Sequence, residues 1–231
     1  MAIKGGFTPI KIFIYEKIFL KFNLIKTYEN ILFSISRNIF EKLVYRKNSD
    51  GIIVLFKEKQ LHRLKTINFN NNKNLYNLII ILDGIEKPGN LGAMLRIANS
   101  IGVKMIILCN MKTYIFNSNV IRNSLGSVFT NKIIIEKIDF VIHWLKKNNI
   151  KIIVSGLQEN SENLYNVDFS SIYDFSIVFG SENKGVSNIW MNNAYKIIKI
   201  PMFGDIDSLN VNSAMSIITY EIIRQKLFFI H

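Results

Sequence analysis

Cysteine is almost absent from this chain. Cys109 is the one thiol in 231 residues, so no disulfide can form within it and a reducing setting, the cytoplasm, is expected. At the end of a strand-like run, Cys109 reads as a small buried hydrophobe rather than a nucleophile. His62, His143 and His231 stand apart, without Cys or acidic partners at ligand spacing, which removes a metal site from expectation. Long hydrophobic runs are also missing: the apolar stretches fall far short of the roughly 18 residues that a membrane helix needs. The apolar amino-terminal stretch is interrupted by Lys4, Lys11, Glu16, Lys17 and Lys21 and lacks a small-residue cleavage site. Neither a membrane partner nor a secretory signal is expected. No G-x-G-x-x-G follows a strand-like run, which excludes the usual dinucleotide fingerprint and the glycine-rich first turn of Rossmann-type methyltransferases. Residues 180–187 come close to a phosphate-cradling loop, but Val186 stands where that motif requires lysine.

Acidic residues are scarce as well, 17 against 29 Lys and Arg, giving a formal charge of +12. The surplus is uneven. Residues 1–75 hold 14 basic and 5 acidic side chains, whereas 76–231 hold 15 and 12. A concentrated positive surface attracts phosphate backbones, so nucleic acid is the expected partner of the first third. Heavy use of Ile, Asn and Lys through biased codon composition is the competing explanation.

What is present is a 49% hydrophobic composition, enough for a full core in one large or two modest domains. Leu78 to Leu82 reads as a buried strand, and Ile52 to Phe56 and Met105 to Leu108 as parallel strands buried on both faces. After the first of these comes the most informative stretch, residues 83–102. Pro88 and Gly89 break the strand, and Asn90 reads as the N-cap of a helix whose apolar positions are Leu91, Met94, Leu95, Ala98 and Ile101. Arg96 falls off that stripe, a place where arginine is ordinarily a solvated surface residue.

Two further strand edges follow. Phe175 to Phe179 leads into Gly180-Ser181-Glu182-Asn183-Lys184-Gly185. Lys196 to Ile200 leads through Pro201 and Met202 to Ser208-Leu209-Asn210 and a helix with Val211, Ala214, Met215, Ile218 and Ile222 on one face. A helix around Phe140, Val141, Trp144 and Leu145 and a strand at Lys151 to Ser155 complete an alternation that predicts a parallel α/β sheet. Ligands gather at the carboxyl edge of such sheets. In the first third, Ile31, Leu32, Ile35, Ile39 and Leu43 recur at helical spacing, and the polar run Asn68 to Asn74 is the candidate linker. Trp144 and the other scattered aromatics read as core, with no interval pointing to a base-stacking platform.

These strings, in order, resemble the three motifs of the SpoU/TrmH-type RNA 2′-O-ribose methyltransferases, members of the SPOUT superfamily: Asn90 to Arg96, Gly180 to Gly185, and Ile200-Pro201-Met202 through Ser208-Leu209-Asn210. Ser124, Gly126 and Ser127 resemble a small-residue patch that the family carries between its first two motifs. The resemblance implies a parallel sheet with a C-terminal trefoil knot, S-adenosyl-L-methionine as methyl donor, and a homodimer. It places main-chain cofactor contacts at Gly180, Ile200 and Leu209, where glycine would let a ligand approach the backbone. Ser49-Asp50-Gly51-Ile52-Ile53 resembles the last strand of an L30e-like domain, shortened here. The implied organisation is a basic, RNA-binding, reduced L30e-like region at 1–75 and a methyltransferase domain at 76–231.

The implied reaction is attack of a ribose 2′-hydroxyl on a sulfonium methyl group, which requires the hydroxyl to lose its proton. The family gives that task to the residue matching Arg96, although a guanidinium stays protonated. Arg96 is therefore read as clamping an RNA phosphate and stabilising the developing alkoxide, with the proton passing to phosphate or water, and proton acceptance by Arg96 itself is left open. Asn90 is read as holding the turn or bonding the ribose, and Glu182 as orienting Arg96 or Asn90. Ser208 and Asn210 are read as capping the last helix and bonding substrate, Asn210 being the preferred substrate contact. Ribosomal RNA is preferred to transfer RNA as substrate. A non-catalytic RNA-binding or ribosome-assembly protein of the same fold is the principal rival, and a small-molecule transferase is disfavoured by the basic first third.

Overall fold

The computed structural model describes residues 1–44, 49–67, 69 and 77–228. The expected linker, Phe69 apart, lies outside them. Two compact units are present, Met1–Gln60 and Leu61–His231. Residues 61–67, on the amino-terminal side of the expected boundary at 75/76, pack with the second unit: Leu64 is fully buried beside Ile79, Met105 and Trp144, and His62 bridges in parallel to Ile134.

The first unit is built from β1 (Pro9–Ile14), β2 (Leu32–Ser34), α1 (Arg37–Leu43) and β3 (Ile52–Phe56). Its sheet runs β2-β1-β3, with β1 parallel to β2 and antiparallel to β3. Two sequence readings are corrected here. The helical spacing from Ile31 belongs to a strand at 32–34 followed by a helix confined to 37–43, because Ser36 in extended backbone separates them. Ile52 to Phe56 is antiparallel and only partly buried, since a single layer of packing covers its sheet.

The second unit comprises β4 (Asn77–Asp83), α2 (Pro88–Ser100), β5 (Met105–Cys109), α3 (Ser118–Asn123), β6 (Ile133–Ile135), α4 (Ile138–Lys147), β7 (Lys151–Ser155), β8 (Glu162–Asn163), β9 (Asp174–Phe179), α5 (Asn188–Met191), β10 (Lys196–Lys199) and α6 (Val211–Phe228). Among the described residues these strands form one seven-stranded, wholly parallel sheet in the order β6-β5-β4-β9-β7-β10-β8. The expected parallel α/β class is observed. Every residue of β4 is buried. Strand alternation sends Leu78, Ile80 and Leu82 to a core with α2 and α6, and Ile79 and Ile81 to another with α4 and Trp190 of α5. No helix among the described residues is long and apolar enough to cross a membrane.

The small-residue patch has a packing role. A Cβ on Gly92 would lie 2.7 Å from both the Asn123 Cβ and the Val120 carbonyl oxygen, and 3.1 Å from the Ser124 nitrogen. Gly92 thus admits α3 against α2, while Gly126, at φ +78°, turns the chain from Ser124 into the short helix that starts at Ser127. Gly92→Ala is expected to destabilise the protein by about 1–3 kcal/mol through overpacking, read as a lower midpoint in urea denaturation.

Candidate active site

The carboxyl ends of β7, β9 and β10 open into a cavity of about 630 Å³, within the range of small-molecule sites. Its walls come from 155–158, 179–186, 199–200 and 207–211, with Lys87, Met191, Met202 and Ala214. All three expected cofactor positions, Gly180, Ile200 and Leu209, line it, as do Glu182, Ser208 and Asn210. Asn90 and Arg96 do not.

Asn90 is nevertheless tied to the cavity wall. Its Nδ2 donates to Glu182 Oε1, and its Oδ1 accepts a 2.8 Å bond from Asn212 Nδ2. Glu182, Asn90 and Asn212 thus form a chain of hydrogen bonds joining the loop after β9, α2 and α6. Of the two partners expected for Glu182, Arg96 and Asn90, it bonds Asn90, and among the described residues no hydrogen bond or ion pair joins it to Arg96. The N-cap role of Asn90 does not hold: α2 starts at Pro88, with Lys87 in the cap position. Proline lacks the N–H that a first helical residue leaves unpaired, so the helix begins there and Asn90 falls inside its first turn, its amide free for lateral bonds. Asn210 does cap α6, its Oδ1 accepting from the Asn212 backbone N–H at 2.9 Å. Ser208 is exposed at the rim. Arg96 is exposed on α2, and its side chain makes no hydrogen bond or ion pair among the described residues.

The loop after β9 is a tight hairpin. Ser181 and Gly185 exchange backbone bonds of 3.1 and 2.9 Å, the Ser181 hydroxyl accepts the Lys184 N–H at 3.2 Å, and Gly185 takes φ +64°. A Cβ on Gly180 would sit 2.1 Å from the Gly185 carbonyl carbon and oxygen. The hairpin's own closure therefore requires glycine at 180, a reason distinct from ligand approach.

Sequence reasoning missed three contributors. Asn212 carried no signal beyond its place one residue into a helix. The segment 155–158 follows a correctly expected strand and could have been found by applying the strand-edge rule to β7 as well. Asp83, 4% exposed at the end of β4, accepts from Asn110 Nδ2 at 2.8 Å through one oxygen, and from the Ser187 hydroxyl and backbone N–H at 2.7 and 3.1 Å through the other. It fastens the far end of the cavity loop to β4. Cys109, on the neighbouring strand, is fully buried, and that burial pushes its thiol pKa up to about 12, so it stays protonated and inert at neutral pH. Among the described residues no group of His, Cys, Asp and Glu could hold a metal ion.

A sequence profile described as the SpoU rRNA Methylase family matches residues 77–220. The chain belongs to the SpoU methylase family. Relatives agree with the assignment. An uncharacterized tRNA/rRNA methyltransferase of Borreliella burgdorferi is 30% identical over 87% of this chain and 91% of its own length. The 23S rRNA (guanosine-2′-O-)-methyltransferase of Blochmanniella floridana is 34% identical over 73% of this chain, and the match spans 63% of that protein. A crystal structure of an RNA 2′-O ribose methyltransferase, 26% identical, superposes over 98% of this chain and 84% of its own with a TM-score of 0.79. The SpoU-like motifs thus coincide with the cavity segments and with α2.

Asp83→Ala is expected to cost about 2–4 kcal/mol, because it leaves the Asn110 amide and both Ser187 donors unpaired. Chemical denaturation measures the loss, and faster proteolysis within 180–187 should accompany it.

Proposed function

We propose that this SpoU-type methylase transfers a methyl group from S-adenosylmethionine to a ribose 2′-hydroxyl of ribosomal RNA, working as a homodimer in the cytoplasm. The observation that carries the reading is the convergence of the second and third motif segments on one cavity, with the first motif's Asn90 bonded to its wall.

The cavity's chemistry suits the cofactor. Phe179, Val186, Met191, Ile200, Leu209 and Ala214 supply apolar walls for a nucleoside, and Glu182 and Asp207 together with Lys87, Lys184 and Lys199 supply both signs of charge for a methionine moiety that carries ammonium, sulfonium and carboxylate groups. Gly180, Ile200 and Leu209 are the residues we assign to hold it. When bound, the cofactor supplies an electrophilic methyl on a positively charged sulfur.

The chain's own groups do the rest. Asn90, its Oδ1 and Nδ2 fixed by Asn212 and Glu182, holds the start of α2 in one orientation at the cavity edge. Arg96, exposed on α2, grips an RNA phosphate and stabilises negative charge as the 2′-oxygen gives up its proton to phosphate or water. Asn210 and Ser208 at the rim present amide and hydroxyl groups for the ribose. The trefoil knot belongs to the same reading, supported by the separate chain segments that meet at one cavity. The ribosomal assignment is supported by the Blochmanniella relative, and the names of other relatives keep transfer RNA as the alternative.

Transfer of labelled methyl from S-adenosylmethionine to purified ribosomal and transfer RNA tests the reading. Label in alkali-resistant dinucleotides from ribosomal RNA is expected; label confined to transfer RNA would move the substrate, and none in either would remove the activity. Arg96→Ala should reduce transfer by about 10²-fold or more, while cofactor affinity measured by calorimetry changes little. Loss of both together would make Arg96 structural.

A further inference from the structure

The first unit carries a surface that the methylase reading leaves unused. Strand alternation in β1 turns Ile12 and Ile14 inward, against Phe19 and Ile25, and turns Lys11 and Phe13 to the other face. Parallel pairing sets Phe13 directly beside Phe33 of β2, and antiparallel pairing sets Lys11 beside Leu55 and Phe13 beside Ile53 of β3. The Phe13 and Phe33 rings lie 5.7 Å apart at 33°, and Lys11 Nζ stands 5.9 Å from the centre of the Phe33 ring. Phe33 remains 44% exposed and Leu55 49%. Twenty positions separate the two phenylalanines in sequence, so the pair exists only because β1 and β2 run side by side. No interval along the sequence pointed to it, because the two rings meet only through strand pairing.

We infer that this sheet face binds unpaired nucleotides of the RNA substrate, with bases stacked on Phe33 and Phe13 and a phosphate held by Lys11. The inference rests on the RNA reading above and names the part of the chain that grips the substrate away from the cavity. Two features select this occupant. An exposed aromatic, Phe33, beside the half-buried Phe13 on an open sheet is the kind of surface on which RNA-binding domains stack bases, and stacking tolerates sequence because every base has a π-face. The charge matches too: Lys11 borders the rings, and residues 1–60 carry 11 basic against 5 acidic side chains, favourable to a polyanion and adverse to another copy of the same basic surface. Stiff duplex RNA offers no free base faces, so the platform selects single-stranded segments.

The test uses the full chain, a short fluorescein-labelled oligouridine and an RNA duplex of equal length, with anisotropy as readout. Phe33→Leu, which keeps the apolar bulk and removes the ring, is expected to weaken oligouridine binding about tenfold, and Phe33→Tyr to stay within about twofold of wild type. Lys11→Gln should weaken binding and lower the salt slope by about one phosphate. Duplex binding should change little in all three. Thermal melting of each variant checks folding, and the tyrosine variant preserves the comparison if leucine disturbs the sheet. Equal oligouridine affinity in wild type and Phe33→Leu would overturn the inference, as would a wild type that does not bind oligouridine. So would a sedimentation result in which Phe33→Leu abolishes self-association and leaves RNA affinity unchanged, because the face would then join two copies. Oligouridine binding that depends on Phe33, without methyl transfer to any RNA, would keep the platform and defeat the methyltransferase reading. Methyl transfer whose KM for RNA is unchanged in Phe33→Leu would do the reverse.

Discussion

The parallel pairing of β4 with β9, from Asn77 opposite Asp174 to Leu82 opposite Phe179, is the constraint on which the rest of the site depends. It brings together two loops more than ninety residues apart in the chain, and both strands are buried, so neither can slip without moving core residues to the wrong face. Asp83 then converts adjacency into attachment. Its carboxylate holds Asn110 after β5 and Ser187 after β9, so the hairpin at 181–185 is pinned beyond its own turn. A buried carboxylate is tolerated there because each oxygen has donors.

From that frame the hydrogen-bonded chain through Glu182, Asn90 and Asn212 follows. Each residue sits on a different element, the loop after β9, α2 and α6, and each amide has both a donor and an acceptor to commit. The start of α2 at Pro88 is what frees Asn90 for the purpose. The close approach of α3 at Gly92 presses on the same helix from another side. The cavity edge is therefore set by packing and hydrogen bonding, whereas Arg96, exposed on α2, is left available to a charged partner.

The two units make different use of hydrophobic residues. In Leu61–His231 both faces of the sheet are covered, and the cavity opens at the strand ends. In Met1–Gln60 one core lies on one face, formed by Ile12, Ile14, Phe19 and Ile25, and the other face keeps exposed aromatic and aliphatic side chains beside lysine. A methylase that must hold a large polyanion and a small cofactor together benefits from separating these tasks, since stacking needs an open surface and cofactor binding a concave one.

Much of this was legible in the sequence wherever information was local. Runs such as Leu78 to Leu82 and Phe175 to Phe179 announced buried strands, the stripe from Leu91 to Ile101 announced α2, and Gly180, Glu182, Ile200, Leu209 and Asn210 were found on strand edges that do line one cavity. What failed was set by neighbours in space. Proline at 88 moved a helix start by competing with asparagine for it, and a turn of helical spacing near Ile31 became a strand because β1 lay ready to pair with it. Asn212, the Asp83 clamp and the Phe13 and Phe33 pair have no local signature at all, because each depends on which strands and helices lie adjacent. The sequence by itself determined most elements of the second unit, its parallel sheet and the residue types offered at its carboxyl edge, since these follow from periodicity and turn chemistry along the chain. Tertiary structure alone decided which of those residues touch, because register and strand order are settled by burial across the whole sheet.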